Sequence, residues 1–388
     1  MNLAIITPTY LPARRANTIQ VMKMSQALAR LGHQVRVVAP AHTSEFSEIQ
    51  SQTAWDDLAE FYGLQFSFPV EWLPAYPGLK RYDFGFRAVL WARHWGAQVI
   101  YTRLPQAAAF ASWLGMRTIY EVHDLPSGYF GSFLFRVFIR YGGARRLVVI
   151  SQALLDDLER LFDLPQTPSF TIVAADGVDL ERYEKLPAPP KARRELREKK
   201  GVPLEVGCFT AGYSGHLYSG RGIELILTIA KKQPEVTFLI VGGEPNEVMR
   251  IRDQVNHRML RNVVVTGFVS NAQLPLYQAA CEVLLMPYQR KVAASSGGDI
   301  SRYLSPMKMF EYMACGRVIL ASDLPVLREV LSPNNARLLP PEDETAWVEA
   351  LQDLRQNPIS GDALADQARR DAKEYSWEAR AERVLAGI

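Results

Sequence analysis

The sequence predicts an α/β protein made of two doubly wound, Rossmann-like domains that face each other across a cleft. The chain has 388 residues, which exceeds the roughly 250–300 residues at which one hydrophobic core stops growing. Short apolar runs alternate with helical patterns, as buried parallel strands and their crossover helices do. This alternation restarts after a stretch rich in proline and charge near the middle of the chain.

The first domain is predicted over residues 1–183. It opens with the strand LAIITP and a loop over residues 8–18, followed by a helix that Gly32 ends. The strand QVRVVAP completes a βαβ unit, and further strands are predicted at 99–102, 117–122 and 147–150. This order is typical of a doubly wound parallel sheet.

Residues 184–203 are predicted to form a surface linker, because they combine prolines and charges with few large apolar residues. The second domain is predicted over residues 204–370. Its strands are EVGCFTAGYSG, VTFLIVGG, VVVTGFV and VLLMPY, and its helices are IELILTIAKK, LPLYQAA and one around 306–314. Residues 342–388 are predicted to contain two or more helices.

Composition restricts the function classes. Hydrophobic residues make up 48% and charged residues 22%, which is typical of a globular protein and excludes a disordered or collagen-like chain. No signal peptide or spanning helix is predicted, which indicates a cytoplasmic protein. The net charge of +3 is too small to indicate a nucleic-acid partner. Cys208, Cys281 and Cys315 lack metal-ligand spacing and are predicted to be buried thiols in a reducing compartment.

A glycine-rich loop begins the second domain's first strand-to-helix connection. The segment GYSGHLYSGRGIELIL places four glycines and Arg221 before a helix N-terminus, where unpaired amides and the helix dipole favour a phosphate. The alternative is a tight turn with a solvated arginine.

The segment SPMKMFEYMACG, residues 305–316, predicts a second anion site. Ser305 is predicted as the N-cap and Pro306 as the first helical residue. Lys308 adds a cation near the helix N-terminus, and Glu311 follows on the same side. A phosphate and a ribose diol would use both groups through charge-assisted hydrogen bonds. The alternative is a surface Lys–Glu pair contributing about 0.2–0.5 kcal/mol.

In the first domain, EVHDLP places His123 and Asp124 at the carboxyl end of a strand. A histidine there can donate a hydrogen bond or exchange protons near neutral pH. The alternative is a packed or solvated loop histidine. No His-Glu-x-x-His, Cys-x-x-Cys or Asp-x-Asp pattern occurs, so neither a metal nor a cofactor is predicted.

The ordered set of these segments resembles the retaining glycosyltransferases of the GT-B fold, in particular glycosyltransferase family 4, over nearly the whole chain. The matching segments are ITPTYLP, EVHD, VVISQAL, ADGVDLERY, YSGHLYSGRG, VTFLIVGG, VVVTGFVSNAQLPLYQAA, SPMKMFEYMACG and YSW. The last of these resembles the start of the family's terminal helix, so residues 371–388 are expected to cross back to the first domain.

The resemblance implies roles for individual residues. Arg221 matches the basic residue that binds the donor phosphates, and His216, near Gly215, takes the place of a second basic residue. The amides of Met307 and Lys308, after Ser305, match those that hold the distal phosphate.

Glu311 matches the glutamate that binds the ribose, Val269 matches a stretch that meets the nucleobase, and His123 matches a residue that approaches the transferred sugar. A further family glutamate is replaced here by Tyr303, and Asp299 or the Ser-Gly-Gly loop beside it is expected to take over its function.

The resemblance therefore implies a nucleotide-sugar donor (UDP-, GDP- or ADP-sugar) and a saccharide, lipid-linked or small-molecule acceptor. The departing diphosphate would be stabilised by Arg221, Lys308 and a helix N-terminus, without a metal. No pair of carboxylates is arranged as in glycoside hydrolases.

Two stretches bear on the acceptor. The segment FRVFIRYGGARR, residues 135–146, mixes aromatic and basic residues and fits either peripheral contact with the inner face of a membrane or a partly buried helix with snorkelling arginines. The aromatic region 55–95 fits either an acceptor surface or core packing.

Three alternative functions are a GT-B nucleotide-sugar epimerase, an inactive nucleotide-sugar-binding protein and a nucleotide-dependent oxidoreductase. The oxidoreductase fits poorly, because no G-x-G-x-x-G follows the first strand.

Overall fold

The computed structural model describes residues 1–42, 53–79, 81–167, 169–293 and 298–388. The chain divides into two compact units. Unit 1 comprises Met1–Asp176 together with Trp377–Ile388, and unit 2 comprises Gly177–Ser376. The first boundary therefore lies seven residues before the predicted end of the first domain at residue 183, and the terminal segment that joins unit 1 begins at Trp377 instead of residue 371.

Unit 1 contains a seven-stranded, fully parallel sheet with the strand order β3-β2-β1-β4-β5-β6-β7. Its strands are β1 (Asn2–Ile6), β2 (Gln34–His42), β3 (Val70–Ala75), β4 (Val99–Thr102), β5 (Thr118–Val122), β6 (Ala144–Val149) and β7 (Thr171–Val173). Its helices are α1 (Ala16–Arg30), α2 (Trp55–Tyr62), α3 (Tyr82–Trp95), α4 (Pro105–Trp113), α5 (Gly128–Arg140), α6 (Gln152–Leu161) and α14 (Trp377–Leu385).

Unit 2 contains a six-stranded, fully parallel sheet with the strand order β10-β9-β8-β11-β12-β13. Its strands are β8 (Thr210–Ser214), β9 (Thr237–Val241), β10 (Val263–Gly267), β11 (Val283–Met286), β12 (Val318–Ser322) and β13 (Arg337–Leu339). Its helices are α7 (Pro189–Lys200), α8 (Ile223–Lys232), α9 (Pro245–His257), α10 (Leu274–Ala279), α11 (Met307–Cys315), α12 (Glu344–Gln356) and α13 (Asp362–Asp371).

Burial explains why the apolar runs form central strands. Every residue of β4, β5, β8, β11 and β12 is buried, as a parallel sheet covered by helices on both faces requires. The fold class of two Rossmann-like α/β domains is thus confirmed. The strands β3, β7, β12 and β13 were not predicted.

The prediction of a surface linker over 184–203 is wrong, because helix α7 fills most of it and packs on α10. Arg193 is 2% exposed and pairs with Glu282 at 2.9 Å. It also donates to the Ala280 carbonyl at 2.8 Å. Among the charges of this segment, Ala192 and Arg193 lie four and three residues before Leu196, so that the three buried residues share one helix face.

All three cysteines are free thiols, and Cys281 and Cys315 are buried whereas Cys208 is only partly so. Among the residues that the structure describes, no helix is both long and apolar enough to cross a membrane.

Candidate functional site

In unit 2, the strand order changes direction between β8 and β11, which are neighbours although they are far apart in sequence. Ligands of doubly wound sheets bind at such switch points, outside the carboxyl ends of the strands. Here the loop 215–222 follows β8, and Pro287 and Tyr288 follow β11. The predicted glycine-rich loop therefore lies at the expected ligand position of this sheet.

Glycine is required in this loop by close packing. Gly222 has φ +79°, and a Cβ built on it would lie 1.8 Å from the Pro287 carbonyl oxygen. Gly215 has φ +132°, and its Cβ would lie 2.7 Å from Lys308 Nζ. Both conformations favour glycine, and the second brings the loop backbone against the Lys308 amine.

Helix α11 begins one residue later than predicted. Pro306 is the N-cap, with an extended ψ of 123°, and Met307 is the first helical residue. The prediction that Ser305 caps the helix is therefore wrong, because Pro306 is itself extended and occupies the N-cap position. The amides of Met307 and Lys308 belong to the first turn, where the helix supplies no acceptor.

The Lys308 side chain ends in an unusual environment. Its Nζ is buried, lies 3.7 Å from the centroid of the Tyr213 ring and 5.5 Å from that of Tyr288, and no described residue accepts a hydrogen bond from it. Burial, followed by the nearby Arg221 cation, holds the pKa of Lys308 well below its ordinary value, and Glu311 offsets only part of this effect. Lys308 therefore does not form the alternative surface ion pair with Glu311.

Arg221 reaches the same place from the glycine-rich loop. It donates from Nη1 to the Tyr288 hydroxyl at 3.1 Å and from Nη2 to the Ala293 carbonyl at 3.4 Å. Its Nε is buried and finds no acceptor among the described residues. The Lys308 amine and the Arg221 guanidinium thus share Tyr288, and no carboxylate within the described residues is bonded to either. Burying such groups is costly unless an anion completes the site.

Glu311 is held by a polar network behind the cations. Its Oε2 accepts from Gln278 Nε2 at 3.1 Å. Gln278 also donates to Ser214 Oγ at 3.1 Å and accepts from the Tyr183 hydroxyl at 2.9 Å. Because one carboxylate oxygen is fixed in this way, the Glu311 carboxylate is positioned before any ligand arrives.

The other predicted donor residues lie on neighbouring loops. The His216 ring stacks on Tyr218 with centroids 4.8 Å apart, and its carbonyl accepts from the Tyr213 hydroxyl at 2.6 Å. Val269 lies two residues beyond β10 and is half-buried. These positions are compatible with donor contacts, which stay predictions.

Asp299 has a structural function in its loop. It is exposed, and its Oδ1 accepts from the amides of Ser301 at 2.9 Å and Val292 at 3.1 Å, which lowers the pKa of Asp299. The buried Tyr303 follows. Of the Ser-Gly-Gly loop, residues 296–298, only the last lies within the described residues. Replacement of the family glutamate by Asp299 stays a prediction.

In unit 1, His123 follows β5 and belongs to a buried polar cluster that the sequence did not predict. Its Nε2 lies 2.5 Å from Glu121 Oε1, which also accepts from Gln20 at 2.8 Å. The other oxygen, Oε2, accepts from the Tyr101 hydroxyl and pairs with Arg380 at 3.0 Å. Glu121 and Arg380 are both essentially unexposed.

The surroundings of His123 favour the neutral form of its ring. Burial and then the Arg103 cation lower the pKa of His123 to about 4. Of the two roles that the sequence left open, hydrogen bonding is favoured over proton exchange near neutral pH, because desolvation disfavours the imidazolium. A neutral ring that donates from Nε2 to Glu121 leaves Nδ1 as an acceptor, for example for a sugar hydroxyl.

Glu121, His123 and Asp176 place potential metal ligands within 4.8 Å of one another. The cluster does not suit a cation, because both Glu121 oxygens already accept two hydrogen bonds each. The guanidinium group of Arg380 also contacts it, and burial raises the pKa of Asp176 to about 7. The geometry fits hydrogen bonding to a neutral polar ligand better than metal ligation.

The chain matches two known families in sequence. Residues 18–182 match Glycosyltransferase Family 4, and residues 208–357 match Glycosyl transferases group 1. The alpha-galactosylglucosyldiacylglycerol synthase of Streptococcus pneumoniae is 24% identical over 278 residues, which are 68% of each chain. The 2-deoxystreptamine glucosyltransferase of Streptomyces kanamyceticus is 29% identical over 119 residues, only 30% of each chain.

The fold matches solved structures over the full chain length. HepE of Anabaena, in complex with UDP and glucose, superposes with a TM-score of 0.72 at 18% identity and covers 100% of both chains.

Proposed function

Since this chain is a glycosyltransferase of family 4 with the GT-B fold, we propose that it is a retaining enzyme that moves a sugar from a UDP-, GDP- or ADP-sugar to a saccharide, lipid-linked or small-molecule acceptor without a metal. The observation that carries the donor assignment is the pair of buried basic groups at the switch point of unit 2, Lys308 Nζ and Arg221 Nε, which find no acceptor among the described residues. A donor diphosphate supplies the anion that this site lacks. HepE, which shares the fold, was solved with UDP.

The proposed chemistry follows from charge. Cleavage of the bond between the sugar and the phosphate leaves positive charge on the sugar and negative charge on the departing diphosphate. The fixed cations Lys308 and Arg221, with the first-turn amides of α11, stabilise that negative charge in a largely desolvated site. The leaving phosphate then accepts the proton of the acceptor hydroxyl, so that transfer occurs on the face from which the diphosphate leaves.

His123 is proposed to contact the transferred sugar. As a neutral ring fixed by Glu121, it supplies a hydrogen-bond acceptor instead of a charge. An acceptor carried on a lipid fits the similarity to a diacylglycerol glycolipid synthase. We also propose that the protein is cytoplasmic and contacts the inner face of a membrane.

The proposal is tested by incubating the protein with UDP-, GDP- and ADP-sugars and candidate acceptors in EDTA, and by detecting the product and the anomeric configuration. Transfer with retention is expected in EDTA at the rate measured with Mg²⁺, because the two cations replace a metal at the leaving group. Activity that EDTA abolishes and Mg²⁺ or Mn²⁺ restores would contradict the metal-free mechanism. An inverted product would contradict retention.

The proposed ribose contact predicts a specific loss in the Glu311→Ala variant. A carboxylate that accepts from the ribose hydroxyls contributes about 1.5–3 kcal/mol, so the affinity for the nucleoside diphosphate should fall by roughly one to two orders of magnitude. Calorimetry with the nucleoside diphosphate and with its 2′-deoxy and 3′-deoxy analogues measures this. Glu205→Ala, at a carboxylate that is 72% exposed, is the control.

The analogues separate a direct contact from a general disturbance. The wild-type protein should bind the deoxy analogue that lacks the contacted hydroxyl more weakly, whereas Glu311→Ala should bind it as it binds the parent nucleotide. If Glu311→Ala discriminates between them as the wild-type protein does, Glu311 does not hold the ribose.

A further inference from the structure

The outer surface of unit 1 carries a concentration of exposed aromatic side chains on three consecutive helices. Helix α4 packs against both α3 and α5. Their exposed aromatic residues are Tyr82, Phe86, Trp113, Tyr129, Phe130 and Phe133, with exposed fractions from 44% to 83%. Large exposed apolar patches on soluble domains mark interaction sites. We call these six residues the aromatic surface.

The aromatic side chains are arranged in stripes. Tyr82 and Phe86 lie one turn apart on α3, and the Phe86 ring packs against Phe110 of α4 with centroids 4.3 Å apart. Phe110 in turn lies 5.8 Å from Trp113. The aromatic surface is therefore continuous from α3 to α4.

Helix α5 combines the aromatic stripe with positive charge. Tyr129, Phe133, Arg136 and Arg140 are all exposed and recur three or four residues apart, whereas Phe135 is buried on the opposite side. Helix α5 is thus amphipathic, and Arg136 and Arg140 lie on its exposed side. The Arg136 guanidinium also lies 5.2 Å from the centroid of the Phe162 ring. The helix begins five residues after His123, at the carboxyl edge of the sheet.

The segment that carries this surface has an excess of positive charge. Residues 81–146 contain nine arginines and three carboxylates, a net charge of +6, whereas the whole chain carries +3; the remainder therefore carries −3. The exposed charged residues in this stretch are Arg87, Arg93, Arg117, Arg136, Arg140 and Arg145 against the single carboxylate Asp124. The same face of a second copy would repel such a surface, whereas an anionic surface would attract it.

We propose that the aromatic surface and its arginines dock unit 1 on an anionic lipid bilayer, which deepens and rests on the proposed function with a lipid-linked acceptor. Tyrosine and tryptophan rings prefer the membrane–water interface, and arginines beside it bind acidic headgroups. The position of α5 next to His123 would deliver the acceptor from the bilayer to the edge of the sheet that carries this residue.

Vesicle flotation of the full chain tests the docking. Wild-type protein should bind vesicles of phosphatidylcholine with phosphatidylglycerol at least tenfold more strongly than vesicles of phosphatidylcholine alone. The variant Tyr129→Ser/Phe130→Ser/Phe133→Ser should lose at least tenfold of this binding. Arg136→Gln/Arg140→Gln should lose about 25-fold at low salt, since each basic residue near an anionic surface contributes roughly fivefold.

The control is Met249→Ser/Ile359→Ser, which removes two side chains of unit 2 that are 60% and 82% exposed and should bind vesicles like the wild-type protein. Binding of nucleoside diphosphate, measured in parallel, should be unchanged in all variants, so that failure of docking is distinguished from failure of the donor site. Equal binding to neutral and anionic vesicles, or variants that bind like the wild-type protein, would overturn the proposal. A dimer that the triple variant dissociates would also overturn it, and would assign the surface to a second copy.

Discussion

Replacement of Lys308 by methionine is expected to lower turnover by about 100- to 1,000-fold, because one fixed charge at the leaving group contributes on that scale. The stability of the folded protein should not fall. Since Lys308 Nζ is buried with no acceptor among the described residues, replacing the amine by an apolar side chain removes the cost of burying an unsatisfied polar group. The thermal midpoint of the nucleotide-free variant should therefore equal or exceed that of the wild-type protein.

Lower turnover together with an unchanged or higher thermal midpoint distinguishes a lysine that binds the leaving group from one that stabilises the fold. The matched control is Lys231→Met, at an exposed lysine of α8, which should keep wild-type turnover. Steady-state kinetics and differential scanning calorimetry on both variants give the comparison. A Lys308→Met variant with near wild-type turnover would remove Lys308 from the leaving-group site, and one that is inactive because it is unfolded would give the lysine a structural function.

Replacement of Arg380 by methionine is expected to have the largest effect on stability. Arg380 is 0% exposed, pairs with Glu121 and donates to the carbonyls of Ala174 and Ala175. Its loss leaves the Glu121 carboxylate buried without its main counter-charge. Breaking a buried ion pair on one side costs about 3–5 kcal/mol, and urea unfolding followed by circular dichroism should show a loss of this size for unit 1.

A double variant distinguishes the charge from the packing. Arg380→Met/Glu121→Gln removes both charges and should recover a substantial part of the lost stability, since neutral replacement of both partners is far less costly than removal of one. Arg383→Met, at an exposed neighbour on the same helix, should be nearly neutral. If the double variant is no more stable than Arg380→Met, the ion pair is not what fixes α14 to unit 1.

The parts of the fold that could be predicted from the sequence were those with local signals. Central strands such as β8 and β11 are short apolar runs between turns, and α8 has a helical apolar period. The edge strand β3 was missed because VEWLPA contains a proline and is only partly buried. Helix α7 was missed because its outward charges outnumber the few residues that face the core.

The residues of the candidate site could likewise be predicted only where they have a local sequence signal. Arg221, Lys308 and Glu311 follow from loop and helix-start patterns, but Tyr213, Tyr288 and Gln278 carry no local signal that they surround these residues. Their positions depend on how β8, α10 and β11 come together in the sheet.

The cluster around His123 depends even more on tertiary structure. Glu121 precedes the histidine by two residues, whereas Arg380 comes from the other end of the chain. Only the folded unit shows that a terminal helix controls the charge beside His123. The sequence alone therefore left hydrogen bonding and proton exchange both open for His123, whereas the buried cluster favours a neutral ring that forms hydrogen bonds.

Calorimetry of nucleoside diphosphate binding in buffers of different ionisation enthalpy decides whether Lys308 holds the diphosphate. In the free protein, burial holds the pKa of Lys308 well below its ordinary value, and a bound anion favours the charged form and raises this pKa. Binding should therefore take up protons at pH values above the second phosphate pKa of about 6, where the nucleotide itself is ionised. We expect this uptake in the wild-type protein and its loss, together with weaker binding, in Lys308→Met; equal affinity and equal proton uptake in both proteins would contradict a diphosphate site at Lys308.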